Sequence, residues 1–266
     1  MFIPKTRLVR AILLSSLLLA VSLPIAAQGG ASTEAAQGIS PEAKAVLDRM
    51  TATLRGLKNF EIESNPSSDE VNDLGYKLQN NEHSVLTVSQ PNKLRSVVKG
   101  DIRNRTFIYD GAKLTIYSPD DNVYARVDAP DTITKLVGGM LNAGIEMPLI
   151  DMLYQTGAGT LTEQVRGGVL VGETMIDGVA CDHLAFRQST IDWQLWVEKG
   201  SRALPRKLLI TTRHEAGAPQ YQATMRWNLQ PKIDASTFAF TPPKGVNEIP
   251  FSDPASLKEV PPAGDR

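Results

Sequence analysis

The chain has 266 residues, of which 42% are hydrophobic and 21% are charged, and these proportions are typical of globular proteins. Its 28 basic and 29 acidic residues give a net charge of -1. This balance argues against a nucleic-acid partner, which requires a concentrated basic surface. The single cysteine, Cys181, cannot form an internal disulfide, so we expect the hydrophobic core to supply the stability.

Residues 1–27 have the three-part pattern of a secretory signal peptide. Lys5, Arg7 and Arg10 form a basic region, an apolar stretch follows, and small residues end at Ala27. We predict cleavage after Ala27 and export to the periplasm; the alternative is an uncleaved N-terminal anchor. No later apolar segment reaches the roughly 20 residues that a membrane-spanning helix needs, so we expect the mature protein to be soluble.

Composition predicts one folded domain between two unstructured segments. Residues 28–39 are small and polar, which is typical of a flexible linker. Residues 251–266 are rich in Pro, and we expect them to form a disordered tail. A single domain is therefore predicted over 40–250.

A helix is predicted at the start of this domain. Ser40 is a suitable N-cap, Pro41 suits the first helical position, and Glu42 favours the positive end of the helix dipole. Apolar residues then recur at helical spacing as far as Leu57. The helix has a single apolar stripe, so it must pack against another apolar surface.

Beyond this helix, apolar residues recur at every second position, which indicates half-buried strands. Such runs fill much of 60–127 and 168–229. Asp110-Gly111 and Asp177-Gly178 each separate two runs, and this dipeptide indicates a β-hairpin. The strands do not alternate with long helices, so the pattern predicts an antiparallel sheet and excludes a Rossmann-type fold.

Two short helices are predicted between the two groups of strands, at 131–143 and 148–154, where apolar residues return to helical spacing. The resulting fold class is mainly β (α+β): a curved antiparallel sheet with helices packed into its concave face. Because the segment Ile133–Tyr154 is apolar and interrupted by Gly and Pro residues, we expect it to form a movable lid over the sheet.

Sequence motifs for catalysis or metal binding are not found. The chain lacks HExxH, the Gly-x-Ser-x-Gly elbow, phosphate-binding loops and the dinucleotide fingerprint. His83, His183 and His214 are far apart, and Cys181 with His183 provides two ligands on one strand face where zinc needs three or four. We therefore predict a non-catalytic protein without a metal or cofactor.

The candidate ligand pocket consists of apolar residues on the later strands and on the first middle helix. Aromatic rings and methionines provide large, adaptable apolar surfaces for a ligand. The alternative is that these residues are ordinary core. The candidates are Trp193, Leu195, Met225, Trp227, Leu136, Met140 and Leu141.

Several runs of the sequence resemble an uncharacterised family of predicted periplasmic proteins, which is similar to the LolA/LolB lipoprotein-carrier superfamily. The resemblance covers about 40–249. The runs are FIYDG (107–111), IDGVACDHLAFRQ (176–188), DWQLWVE (192–198), LPRKL (204–208) and FAFTPP (238–243).

This resemblance implies an unclosed antiparallel β half-barrel with helices as a lid, in proteins that bind acyl chains or sense misfolded envelope proteins. We therefore expect a periplasmic binding or carrier protein for an apolar ligand, either a lipid or an acylated envelope protein. The expected protein is a monomer that contacts the membrane at most transiently. The alternative is a structural or sensory envelope module that binds a partner protein without a small ligand.

Overall fold

The computed structural model describes residues 38–142, 145 and 148–251, which belong to one compact unit. The predicted signal peptide with its cleavage site at Ala27, residues 28–37 of the predicted linker and residues 252–266 of the predicted tail lie outside the described residues. Within the described residues, no helix is both long and apolar enough to cross a bilayer.

The described residues form three helices and thirteen strands. The helices are α1 (Pro41–Gly56), α2 (Ile133–Asn142) and α3 (Pro148–Ala158). The strands are β1 (Gly38–Ile39), β2 (Asn59–Val71), β3 (Lys77–Ser89), β4 (Lys93–Gly100), β5 (Arg105–Tyr109), β6 (Lys113–Ser118), β7 (Val123–Asp128), β8 (Gly167–Ile176), β9 (Val179–Arg187), β10 (Ile191–Glu198), β11 (Pro205–Thr212), β12 (Gln220–Asn228) and β13 (Asn247–Glu248).

All described strands belong to one sheet, in the order β1-β8-β9-β10-β11-β12-β2-β3-β4-β5-β6-β7-β13. Neighbouring strands are antiparallel except at the two edges, where β1 pairs with β8 and β13 pairs with β7 in parallel. The sheet does not close on itself. These features confirm the predicted fold class, an unclosed antiparallel β half-barrel with helices on one face.

The short edge strand β1 lies at the end of the segment that was predicted to be a linker. The amide of Gly38 donates to the carbonyl of Arg166 at 2.9 Å, and the amide of Ser40 donates to the carbonyl of Gly168 at 2.8 Å. A strand of two residues is too short to produce an alternating pattern, so the pairing is visible only in the folded chain.

Helix α1 begins and ends close to the predicted positions. Ser40 is the N-cap, and its Oγ accepts a hydrogen bond from the amide of Ala43 at 3.3 Å. Pro41 occupies the first turn and the helix ends at Gly56. The predicted apolar stripe is the face that α1 buries, and it contains Ala43, Val46, Leu47, Met50 and Leu54.

Both predicted Asp-Gly hairpins are confirmed. Between β5 and β6, Oδ1 of Asp110 accepts hydrogen bonds from the amides of Ala112 and Lys113 at 2.9 and 2.8 Å. Between β8 and β9, Asp177 and Gly178 have φ angles of 48° and 76°. These left-handed values suit a tight hairpin turn, and Gly adopts them without a steric penalty.

The core lies between the helices and one face of the sheet. Ile62 of β2 pairs directly with Leu86 of β3, which in turn pairs with Ser96 of β4, so the three side chains point to the same face. This face packs against all three helices in one cluster. We call it the inner face.

The outer face of β4–β7 is covered by the chain that follows β12. Phe238 and Ile108 are both almost fully buried. The ring of Phe240 lies 5.5 Å from Tyr117 and 5.2 Å from Tyr124. The segment 229–246 thus protects the outer face without adding a strand there.

We expect Ser40→Ala to lower the free energy of unfolding by about 1 kcal/mol, because the N-cap hydroxyl is lost. Ser40→Asp is the matched control, since its carboxylate also accepts from the amides of the first turn and should retain the stability. Urea denaturation of both variants measures the difference. Equal losses in the two variants would show that the cap contributes nothing.

Tyr109 fixes the chain just before α2, because its hydroxyl donates to the carbonyl of Pro130. Burial, together with the negative charges of Asp131 and Asp110, raises the pKa of Tyr109 to about 12. The folded protein therefore favours the neutral phenol, and its contribution to stability is complete below the unfolded pKa of about 10. This contribution is lost as the pH rises towards 12.

We expect Tyr109→Phe to be less stable at neutral pH, because the carbonyl of Pro130 loses its donor. The variant should also lose less stability than the parent between about pH 10 and 12, because its side chain has no proton to lose. Denaturant titration across this range measures both effects. Parallel pH profiles for parent and variant would contradict the prediction.

Candidate functional site

A cavity of about 640 Å³ lies between the inner face of the sheet and helix α3. This volume is within the range of roughly 300–1,000 Å³ that is typical of small-molecule sites. One part of its wall is apolar. This part contains Leu86, Val98, Phe107, Ile116, Ile145, Leu149 and Ile150.

The apolar wall follows from the register of the strands. Leu86 pairs with Ser96, Ser96 with Phe107, and Phe107 with Ile116, so one row of inward side chains crosses β3, β4, β5 and β6. Helix α3 faces this row with Leu149 and Ile150. The cavity is the space that the strand row and α3 leave between them.

Polar groups occupy the other part of the wall. Ser84 and Ser96 are both buried, and Ser84 Oγ is 2.7 Å from Ser64 Oγ in a shared hydrogen bond. Charged residues extend this part towards the ends of β2–β5. They are Glu70, Glu82, Asp101, Arg103 and Arg105. The cavity thus has an apolar end and a polar end.

Burial within the cavity affects two titratable groups. Desolvation raises the pKa of Glu82, although the positive charge of Arg103 partly opposes the shift. Desolvation also raises the pKa of Tyr221, and the negative charges of Glu82 and Asp151 add to this effect. The polar end is therefore half-buried at Tyr221 and Arg105, whereas Glu70, Glu82, Asp101 and Arg103 remain exposed at its mouth.

The seven predicted pocket residues come together in the structure, but none of them lines this cavity. Five are buried in the main core cluster: Leu136, Met140, Trp193, Leu195 and Met225. Leu141 and Trp227 are partly buried and pack against the same cluster, which also contains the cavity residues Leu86, Leu149 and Ile150. The seven residues thus adjoin the cavity, and their contact with a ligand stays a prediction.

The two candidate tryptophans, Trp193 and Trp227, differ in their hydrogen bonding. Nε1 of Trp227 donates to the carbonyl of Pro205 at 2.7 Å. Trp193 is only 5% exposed and stacks on Phe186 at 4.0 Å, but its Nε1 has no hydrogen-bond partner among the described residues. Unpaired buried donors are rare in folded proteins and require an explanation.

Cys181 and His183, the two candidate metal ligands on one strand face, have other surroundings. Cys181 is fully buried. The ring of His183 stacks on Trp196 at 4.3 Å, and its Nε2 lies 2.8 Å from Oε1 of Gln194. Among the described residues, no group of three or more His, Cys, Asp or Glu side chains could hold a metal ion.

The cavity residues were not recognised from the sequence. Leu86, Val98 and Phe107 lay in predicted strands, but the inward face of those strands was not assigned. The far ends of β2 and β3 were not predicted at all, because 64–70 and 79–84 are polar and lack an apolar alternation. One sequence signal could have identified the inward face. Side chains alternate along a strand, so Glu82 and Ser84 lie on the same face as the apolar Leu86 and Val88.

Among solved structures, the fold is similar to lipoprotein LppX from Mycobacterium tuberculosis, with 14% identity and a TM-score of 0.47 over 73% of this chain and 100% of that chain. LprF from Mycobacterium bovis gives 14% identity and a TM-score of 0.47 over 73% and 97%. A LolA superfamily protein from Nitrosomonas europaea gives 9% and 0.32 over 74% and 97%. Likenesses of this degree carry no functional argument.

A comparison with curated proteins finds no match. A family model described as "Predicted periplasmic protein (DUF2092)" matches residues 43–252, most of the chain. This match confirms the resemblance that the sequence runs indicate and agrees with the periplasmic location that the leader predicts. The chain belongs to the DUF2092 family of predicted periplasmic proteins.

Proposed function

We propose that the protein is a non-catalytic periplasmic binding or carrier protein for an apolar ligand, a lipid or an acylated envelope protein. The observation that carries this proposal is the cavity of about 640 Å³, with its apolar wall of strand and helix side chains. Burying an acyl chain against such a wall contributes about 25 cal/mol per Å² of apolar surface. The resemblance of the sequence runs to a family that is similar to the LolA/LolB carriers implies the same class of ligand.

The segment Ile133–Tyr154 acts in this proposal as the lid. Helix α3 contributes Leu149 and Ile150 to the cavity, so any movement of α3 changes the size of the cavity. Leu136 and Met140 of α2 are 1% and 2% exposed and anchor the lid in the core. When α3 moves away from the sheet, the ligand reaches the deeper candidates Trp193, Leu195, Met225 and Trp227.

The unpaired donor of Trp193 supports this deeper site. Its Nε1 is buried without a partner among the described residues, and an ester or carboxyl oxygen of a ligand would accept from it. A lipid or an acyl linkage has such an oxygen, whereas a hydrocarbon does not.

A structural or sensory module that binds a partner protein is the second candidate. The turn between β2 and β3 favours it, because Leu74 and Tyr76 are 81% and 65% exposed there. Exposed apolar side chains at a hairpin tip suit contact with another protein. Binding measurements on the cavity separate this candidate from the first.

We expect Val98→Trp to reduce ligand affinity at least tenfold, because the larger ring fills the cavity that Val98 lines. Val97→Trp is the matched control, since Val97 is the neighbouring residue of β4 and points to the outer face. Titration of the delipidated protein with the neutral fluorophore N-phenylnaphthylamine gives the affinity. No saturable binding to the parent protein would leave only the sensory or structural candidate.

Tryptophan variants test the deeper site. We expect Trp193→Phe and Trp227→Ala each to weaken the binding of a fluorescent fatty acid about tenfold. Trp193→Phe removes the N–H that would donate to the ligand, and Trp227→Ala removes an apolar ring that would contact it. Trp196→Phe is the control, because Trp196 lies on the outer face against His183 and Lys207. Unchanged affinity in both variants, with thermal unfolding confirming their fold, would assign Trp193 and Trp227 to ordinary core.

A further inference from the structure

The polar end of the cavity contains charges that the protein itself pairs and charges that it leaves available. Arg105 is paired, because Nη1 donates to Ser118 Oγ and to the carbonyl of Asn104. Asp101 is also paired, since its Oδ2 accepts from the backbone and side-chain amides of Asn81 at 2.8 and 3.2 Å. Arg105 Nη1 and Asp101 Oδ2 are thus engaged within the protein, which fixes both side chains at the polar end.

Glu82 and Arg103 are the available charges. Within the described part of the chain, neither side chain makes a hydrogen bond or an ion pair, and their interaction with each other is electrostatic at longer range. Both line the cavity. A carboxylate and a guanidinium without a hydrogen bond to the described protein thus both line the polar end.

Gly100 leaves room for Glu82 to approach the turn that carries Arg103. A Cβ at Gly100 would lie 2.9 Å from Cγ of Glu82 and 3.3 Å from the carbonyl oxygen of Arg103. The absence of a side chain at position 100 therefore lets the Glu82 side chain and the Arg103 backbone approach the same point. The Glu82 side chain therefore packs against the turn between β4 and β5 that carries Arg103.

We propose that this end of the cavity binds the zwitterionic head group of an amphiphile, with its ammonium against Glu82 and its anionic oxygen against Arg103. The hydrocarbon chain lies along the apolar wall formed by Leu86, Phe107 and Ile116. This assignment rests on the proposed function and specifies the ligand class for the same cavity.

Charge complementarity selects a zwitterion over a simple ion. A purely anionic head would gain from Arg103 but would also meet the carboxylate of Glu82, and like charges repel. A purely cationic head meets the same problem beside Arg103. A head with an ammonium and a phosphate oxygen satisfies both groups and strengthens each interaction as a charge-assisted hydrogen bond.

The test compares lysolipids with the same acyl chain and different heads, each below its critical micelle concentration, by displacement of N-phenylnaphthylamine from the delipidated protein. We expect lysophosphatidylethanolamine to bind about tenfold more tightly than lysophosphatidylglycerol, because only the former has an ammonium for Glu82. Water-soluble glycerophosphoethanolamine should not displace the probe, because it lacks the chain that contacts the apolar wall.

Variants at the two charges should change the affinities for the two lipids in different patterns. Glu82→Gln should weaken the binding of lysophosphatidylethanolamine and strengthen that of lysophosphatidylglycerol, each by several-fold. Arg103→Ala should weaken both lipids. Glu63→Gln and Lys99→Ala are the controls, because these residues lie on the outer face of β2 and β4 and should change neither affinity.

Different results separate the two proposals. Equal affinities for the two head groups, or a Glu82→Gln variant that binds both lipids like the parent, would overturn the head-group assignment while the carrier function stands. Displacement by glycerophosphoethanolamine alone would assign the site to a small soluble zwitterion and would likewise overturn it. Absence of saturable binding for both the probe and all lysolipids would overturn the proposed function as well.

Discussion

The inner face of the sheet has to be kept from water, and the remaining structure depends on how this is done. One row of inward side chains crosses β3–β6, and a second group on β9–β12 contributes Leu184, Leu195, Leu208 and Met225. An antiparallel sheet with one apolar face requires a cover on that side. Helix α1 and the pair α2–α3 provide this cover, and Tyr109 fixes the chain where α2 begins.

The cover is complete over one part of the inner face and incomplete over another. Around Leu195 and Met225 the side chains are almost fully buried. Towards the far ends of β2–β5, the inward positions become Ser84, Glu82 and Asn80, and α3 does not fill the space above them. The cavity therefore has apolar and polar ends because the inward positions of β3 change from apolar to polar while the strand continues.

Local sequence signals predicted the elements well but did not identify the residues that line the cavity. Ser40 at the N-cap and the two Asp-Gly turns depend on interactions within a few residues, so their sequence signature is sufficient. Trp193 and Trp227 were reasonable pocket candidates, yet both belong to the packed core or its border. Hydrophobicity identifies side chains that avoid water, but it does not distinguish a filled core from a cavity wall.

The sequence by itself determined the mainly β fold class, the helix α1, the two short helices between the two groups of strands and the family of the chain. These properties follow from periodicity, turn residues and recurrent sequence runs. The tertiary structure alone decided the cavity, because its wall combines residues from strands and from α3 that are far apart in the chain. It also decided which charged groups have hydrogen-bond partners. Asp101 accepts from Asn81 and Arg105 donates to Ser118, whereas Glu82 and Arg103 make no hydrogen bond within the described residues.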